Sequence, residues 1–172
     1  MSSKFNKIFF KRLLRHLCIL PNAVSQHFSV EAMRRIEAAI AKSEALHFGE
    51  IRFAVESNLH VFEIFKRKSA KKRAIEVFSN LRVWDTEQNN GVLIYLLLAD
   101  HDFEVLADRG IHHHVGKDGW ENICQEMETM FRHGKFEDGV LYGIAKISEL
   151  LVQHYPAHSG NVNELPNAPV VL

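Results

Sequence analysis

Residues Val92–Ala99 read VLIYLLLA, an unbroken apolar run set between Asn90-Gly91 and Asp100. The run is strand-sized, and far short of the roughly 18 apolar residues that a membrane-spanning helix requires. Its branched and aromatic side chains point to both faces of a strand, so both faces must be covered. A strand of this kind sits in the interior of a sheet with a further layer on each side. That requirement sets the fold class before any other segment is read.

Upstream, EIRFAVES alternates Ile51, Phe53 and Val55 with Glu50, Arg52 and Glu56, the period-two pattern of a strand with one buried face. Between the two strands, FKRKSAKKRAIEVFSNLRVW places Ala70, Ala74, Val77, Phe78 and Leu81 on one helical face and its basic residues on the other. A strand-helix-strand crossover of this length makes the two strands parallel and the connection right-handed. After the polar turn ADHD, FEVLADRG alternates again and folds back antiparallel on the apolar strand. Further helices are expected over Ser29–Leu46, with Ser29 as N-cap and Gly49 as stop, over Lys117–His133, and over Phe136–His154. The expected architecture is α/β, a three-layer α/β/α sandwich around a small mixed sheet made of a parallel pair plus an antiparallel hairpin strand.

A chain of 172 residues with 47% hydrophobic content fits one ordinary domain with flanking segments. The expected division is a basic amphipathic N-terminal segment over 1–28, the domain over 29–155, and a flexible tail over 156–172. The tail has no periodicity and holds three of the four prolines. Lys and Arg (21) balance Asp and Glu (21), so no nucleic-acid partner is expected. The balance is uneven along the chain. No acidic residue precedes Glu31, while Lys4, Lys7, Lys11, Arg12 and Arg15 interleave with Phe5, Ile8, Phe9, Phe10, Leu13, Leu14 and Leu17. Basic residues interrupt every apolar run there, so an export leader is not expected. The expected location is cytoplasmic, with residues Met1–Leu20 suited either to packing on the domain or to peripheral contact with the inner face of a membrane. Cys18 and Cys124 match no metal spacing and are read as idle or buried thiols.

NNGVLIYLLLADHDFEVLADRG followed by FRHGKFEDGVLYGIAKISELL resembles the TPM domain family, also labelled TPM phosphatase. The resemblance is carried by Glu50 leading the first strand, Asn90-Gly91 before the apolar strand, the Asp100–Asp102 hairpin, Gly110 after the third strand, and Gly134 to Gly139 with Phe136 between them. It extends over about residues 29–154. It implies an α/β/α sandwich, a divalent-ion site in some members, and acid phosphatase activity reported for some. Members concerned with photosystem repair and members associated with membranes are included. Two features depart from the family pattern: many relatives carry a signal peptide and a C-terminal membrane helix, and a glycine-rich segment commonly precedes the Asn-Gly where this chain has WDTEQ.

Two parallel strands and an antiparallel third bring the residues before the first two strands to the same sheet end as the residues after the third. Glu50, Asp85, Glu87, Asn89, Asn90, Asp108, Arg109 and His112–His114 therefore share one end, and Glu56, Asp100 and Asp102 the other. Carboxylate and amide oxygens are the ligands that Ca²⁺ or Mg²⁺ prefers, which makes Glu50, Asp85, Glu87, Asn90 and Asp108 the candidate metal ligands. Within WDTEQNNG alone an EF-hand loop fails. With Asp85 first, the sixth position needs glycine but is Asn90, and the twelfth needs glutamate but is Leu96. The same stretch also reads as a capped turn, with Asp85 or Thr86 bonding backbone donors and Asn90-Gly91 supplying left-handed geometry. In GIHHHVG, His112 and His114 would face one zinc ion if the segment were a strand, but packing or exposed histidines are the favoured reading. Asp100 and Asp102 form a second-ranked site at the opposite end.

The function expected is a divalent-cation-binding interaction module with an unidentified protein partner. Two alternatives stand beside it. One is a metal-dependent acid phosphatase in which Glu87 acts as base on a metal-bound water and Arg109 holds the phosphoryl oxygens. The other is a membrane-peripheral adaptor.

Overall fold

The structure, a computed structural model, describes residues 2–20, 22–157 and 163–172, with the side chains of the first helix described from Lys7 onward. In chain order the elements are α1 (Ser2–Cys18), α2 (Ala23–His27), α3 (Val30–Glu44), β1 (Ile51–Glu56), α4 (Val61–Phe65), α5 (Ala70–Asn80), β2 (Val92–Leu97), a 3₁₀ turn (Leu98–Asp100), β3 (Asp102–Ala107), α6 (Arg109–Arg132), α7 (Phe136–His154) and β4 (Val170–Val171). The sheet order is β3-β2-β1-β4. β1 and β2 are parallel in the register Ile51↔Val92 to Glu56↔Leu97, and β3 returns antiparallel with Val92 opposite Ala107. The α/β/α sandwich and the mixed sheet are as the sequence implies.

Alternation along the strands divides the interior into two cores. Ile51, Phe53 and Val55 of β1 with Val92, Ile94 and Leu96 of β2 face α2, α3, α6 and α7, where Ile36, Ile40, Met127 and Ile144 are buried. On the opposite face, Ala54, Leu93, Tyr95 and Leu97 meet α4 and α5 through Ile64, Ala74 and Val77, joined by Phe9 and Leu13 of α1. The helix starts follow simple chemistry. Ser29 accepts a hydrogen bond from the Ala32 amide and Ser69 from the Lys72 amide, each satisfying a first-turn donor that the helix itself cannot pair.

Three expectations are corrected. β1 is buried on both faces, its polar residues included. Glu56 survives there because Arg73 donates to both of its oxygens (2.9 and 3.1 Å) and the Tyr95 hydroxyl donates to Oε2 (2.6 Å). The segment 156–172 is not a free tail over its described part: residues 163–172 return to the sheet, and Val170-Val171 add a fourth, parallel strand on β1. A row of backbone donors and acceptors on the open edge of β1 is the physical reason. Finally, the histidine segment is helical, since α6 begins at Arg109 and is interrupted at Gly116 (φ 67°, ψ 178°) before the expected start at Lys117.

The basic N-terminal segment packs on the domain. Arg12 donates to Asp100 Oδ2 (2.7 Å) and to the Lys68 carbonyl (2.6 Å). The Leu59 amide donates to His16 Nδ1 (3.0 Å), which leaves His16 Nε2–H to donate to Asp100 Oδ1 (3.1 Å). Burial alone would raise the Asp100 carboxyl, but the hydrogen bonds from His16 and Arg12 outweigh it and hold the group well below the usual carboxylate range. α1 thereby closes the carboxyl ends of the parallel strands. Asp100→Ala leaves Arg12 and the buried His16 without their shared acceptor, and breaking such a pair is expected to cost about 3 kcal/mol. Chemical denaturation should show the loss, with faster amide exchange at Leu59; an unchanged midpoint would mean that Asp100 does not anchor α1.

Candidate functional site

The amino ends of β1 and β2 and the carboxyl end of β3 meet at one edge of the sheet. The Val92 amide donates to the Glu50 carbonyl and the Asp108 amide to the Gly91 carbonyl, both at 2.8 Å, which brings Glu50, Asn90-Gly91 and Asp108 onto neighbouring strand ends. The connector WDTEQNNG is an ordered turn. Thr86 Oγ1 accepts from the Asn90 amide at 3.1 Å, as a capped turn requires. The left-handed residue is Asn89 (φ 53°) rather than Asn90-Gly91. Gly91 is needed for another reason: a Cβ there would collide with the Val83 carbonyl.

The sequence candidates divide into three groups. Glu50 is buried, and its two oxygens accept the amides of Glu164 (2.9 Å) and Leu165 (3.2 Å), so its acceptors hold the returning C-terminal segment. Asp85 and Glu87 lie on the exposed outer side of the turn. Asp85 is 3.8 Å from Arg82, and the Glu87 amide donates to the Glu164 carboxylate. Asn90 and Asp108 are brought together. Arg109 reaches Asn89 Oδ1 (3.3 Å). At the opposite end, Asp100 is taken by α1 and Asp102 opens β3.

Asn90 is fully buried. Its Nδ2 donates to the Phe48 carbonyl at 3.1 Å, while its Oδ1 has no hydrogen-bond partner among the described residues. Asp108 caps α6, with Oδ1 accepting from the Arg109 amide at 2.7 Å, while its Oδ2 is buried and likewise without a partner among the described residues. Gly110 admits a close approach of backbone beside them: a Cβ there would stand 2.8 Å from the Gln88 carbonyl and 2.9 Å from the Tyr155 hydroxyl. Burial, and then the Asp108 charge, raise the Tyr155 hydroxyl, which places that hydroxyl within the field of the carboxylate. Asn90 Oδ1 and Asp108 Oδ2 are thus two buried acceptors on adjoining strand ends, without hydrogen-bond partners among the described residues.

The histidines do not join it. In a helix, residues two apart point to nearly opposite sides, so His112 and His114 cannot share an ion as they would on a strand. His114 instead stacks on His154 at 4.8 Å and meets Tyr155 edge-on. Among the described residues no three His, Cys, Asp or Glu side chains converge as a metal group. Burial pushes the Cys124 thiol up to about 11.

Sequence reasoning missed the buried charges under the returning segment. Arg52, which alternation assigned to solvent, is buried near Glu44 and Glu50. Burial outweighs the hydrogen bonds that Glu50 accepts and raises it to about 7, and burial raises Glu44 to about 8. The signal available in sequence was only the Glu-x-Arg of a strand start, which carries no information on what would cover it.

A family model described as the TPM domain matches residues 23–150. The BA42 protein from the psychrophilic bacterium Bizionia argentinensis, solved by NMR, is 30% identical with a TM-score of 0.75, over 84% of this chain and 95% of that one. The N-terminal domain of a protein from P. gingivalis shares the fold at a TM-score of 0.51 and 20% identity, over 82% of this chain and 83% of that one. No curated protein matches the chain.

The raised carboxyls set a pH dependence. A carboxyl raised on folding binds its proton more tightly in the native state, so its contribution is complete below the unfolded value near 4.5 and is lost as pH rises through the folded values of about 7 and 8. The denaturation midpoint is therefore expected to fall between pH 5 and pH 8, and Glu50→Gln to flatten that fall. An identical profile for the variant would remove Glu50 from the account.

Proposed function

The chain belongs to the TPM domain family, and we propose that its Asn90–Asp108 corner is a divalent-cation site through which the domain acts as an interaction module. The observation that carries this reading is the pair of buried oxygens without a partner among the described residues, Asn90 Oδ1 and Asp108 Oδ2, on adjoining strand ends. Leaving a buried acceptor unpaired costs about 1–3 kcal/mol, and one hard cation satisfies both. The donor set is oxygen only, with the Gln88 carbonyl and the Tyr155 hydroxyl beside it, which favours Ca²⁺ or Mg²⁺ over Zn²⁺. Ca²⁺ suits it better, because carbonyl, amide and carboxylate oxygens at unequal spacing fit a flexible coordination shell.

Cation binding here couples two surface elements. Asn90 closes the 84–91 turn and Asp108 opens α6, so an ion held by both stiffens the exposed edge carrying Asp85, Glu87 and Arg109. Those three residues then serve as the contact surface rather than as ligands or catalytic groups.

Thermal unfolding with Ca²⁺, Mg²⁺, Mn²⁺ and Zn²⁺ tests the site. A ligand at a hundred times its Kd adds about 2.7 kcal/mol to stability, so Ca²⁺ or Mg²⁺ should raise the midpoint. Asn90→Ala and Asp108→Asn should abolish the shift, the latter retaining a competent N-cap, while Asp85→Ala and Glu87→Ala should leave it intact. No stabilisation by any ion, or an unchanged shift in Asp108→Asn, would sink the proposal. Aryl phosphate hydrolysis lost with chelator and with Asp108→Asn would move the assignment to a metal-dependent phosphomonoesterase.

A further inference from the structure

From Lys7 onward, the described side chains of α1 that meet the domain lie on one side: Phe9, Arg12, Leu13 and His16 face inward, and Arg15 reaches Asp100 Oδ1 from the flank. Phe10, Leu14 and Leu17, at i, i+4 and i+7, lie on the outer side, and none of them is needed to seat the helix. The neighbouring α4 adds Phe62 and Phe65, and these five side chains are 56–72% exposed. The two sets are continuous: the Phe65 ring lies 5.5 Å from Phe9, which is edge-on to Phe10 at 6.2 Å. Scattered exposed apolar residues need no explanation, but a continuous aromatic and aliphatic face on two elements marks a contact surface.

The charges around this face have one sign. Lys7 and Lys11 lie within a turn of Phe10 and Leu14, and Lys66 follows Phe65 directly. The nearby acidic groups are already engaged, Glu63 by Lys68 and the His60 amide, Asp100 by Arg12 and His16. Lysine stems can lie along the apolar side chains while the ammonium groups remain in water. A second copy of the chain docking on the same face by a two-fold axis would bring the Lys7, Lys11 and Lys66 charges of both copies into one interface. Anionic lipid headgroups above an acyl layer complement both the charge and the apolar surface. Among the described residues no helix is long and apolar enough to cross a membrane, so contact of this kind lies in the interface plane.

We propose that the joint outer face of α1 and α4 docks the domain on an anionic lipid surface, with Phe10, Leu14, Leu17, Phe62 and Phe65 entering the headgroup region and Lys7, Lys11 and Lys66 holding the lipid charge. The face lies with α1 at the carboxyl ends of β1 and β2, opposite the sheet end that carries Asn90 and Asp108.

Co-sedimentation of the full chain with vesicles of phosphatidylcholine, with and without phosphatidylglycerol, tests it. Binding is expected only with phosphatidylglycerol present and should weaken as salt screens the lysines. A lysine near an anionic surface contributes about fivefold in partitioning, so Lys7→Gln with Lys11→Gln should lower it roughly 30-fold. Leu14→Glu and Phe62→Glu should each lower it about tenfold or more, with thermal unfolding unchanged because both side chains are exposed. Equal sedimentation with neutral and anionic vesicles, or none with either, would overturn the proposal. So would Phe62→Glu binding as wild type, since α4 would then take no part. A dimer in light scattering that Leu14→Glu dissociates, without vesicle binding, would make the face a self-interface instead.

Discussion

Everything else in the structure follows from the parallel pairing of β1 and β2 with both faces of both strands buried. Two strands in that position separate the interior into two cores, and each must be closed by its own layer. α2, α3, α6 and α7 close one, and α4, α5 and α1 the other. The requirement extends to polar side chains that β1 carries inside. Glu56 is tolerated through Arg73 and Tyr95, and Arg52 lies near Glu44 and Glu50. A buried charge without such neighbours would be strongly destabilising, so these residues also decide which elements can cover the strand.

The two ends of the sheet have different fates. The carboxyl ends of parallel strands are the usual ligand crevice of open α/β folds. Here Asp100 gives that end to α1, through Arg12, His16 and the Leu59 amide. The amino ends are left with Asn90 Oδ1 and Asp108 Oδ2, buried acceptors without a hydrogen-bond partner among the described residues. Placing α1 over the crevice has a second consequence. It fixes the inner side of a basic, apolar helix and turns the remaining side outward beside α4.

The legible part of the chain was the part governed by local repeat. The apolar run at Val92–Leu97, the alternation in β1 and β3, the Ser29 cap and the helical faces of α3, α5 and α7 each act through neighbours a few residues away. The gathering of Glu50, Asn90 and Asp108 at one end was also readable, because strand direction alone dictates it. Which of them kept free oxygens was not. Glu50 lost its acceptors to the amides of Glu164 and Leu165, more than a hundred residues on in the chain. The helical state of His112–His114 was not readable, because the two turns of helix before Gly116 are too short to show a period.

The sequence by itself determined the layers and the directions of the first three strands, since periodicity, strand length and crossover length need no knowledge of distant contacts; the family followed from the resemblance of its motifs. Only the tertiary structure decided which polar groups are spent and which remain. A carboxylate at a strand end looks the same in sequence whether it binds an ion, caps a helix or holds a returning segment. Its role is set by the donors that the rest of the fold brings within hydrogen-bond reach, and by the water that the same packing removes.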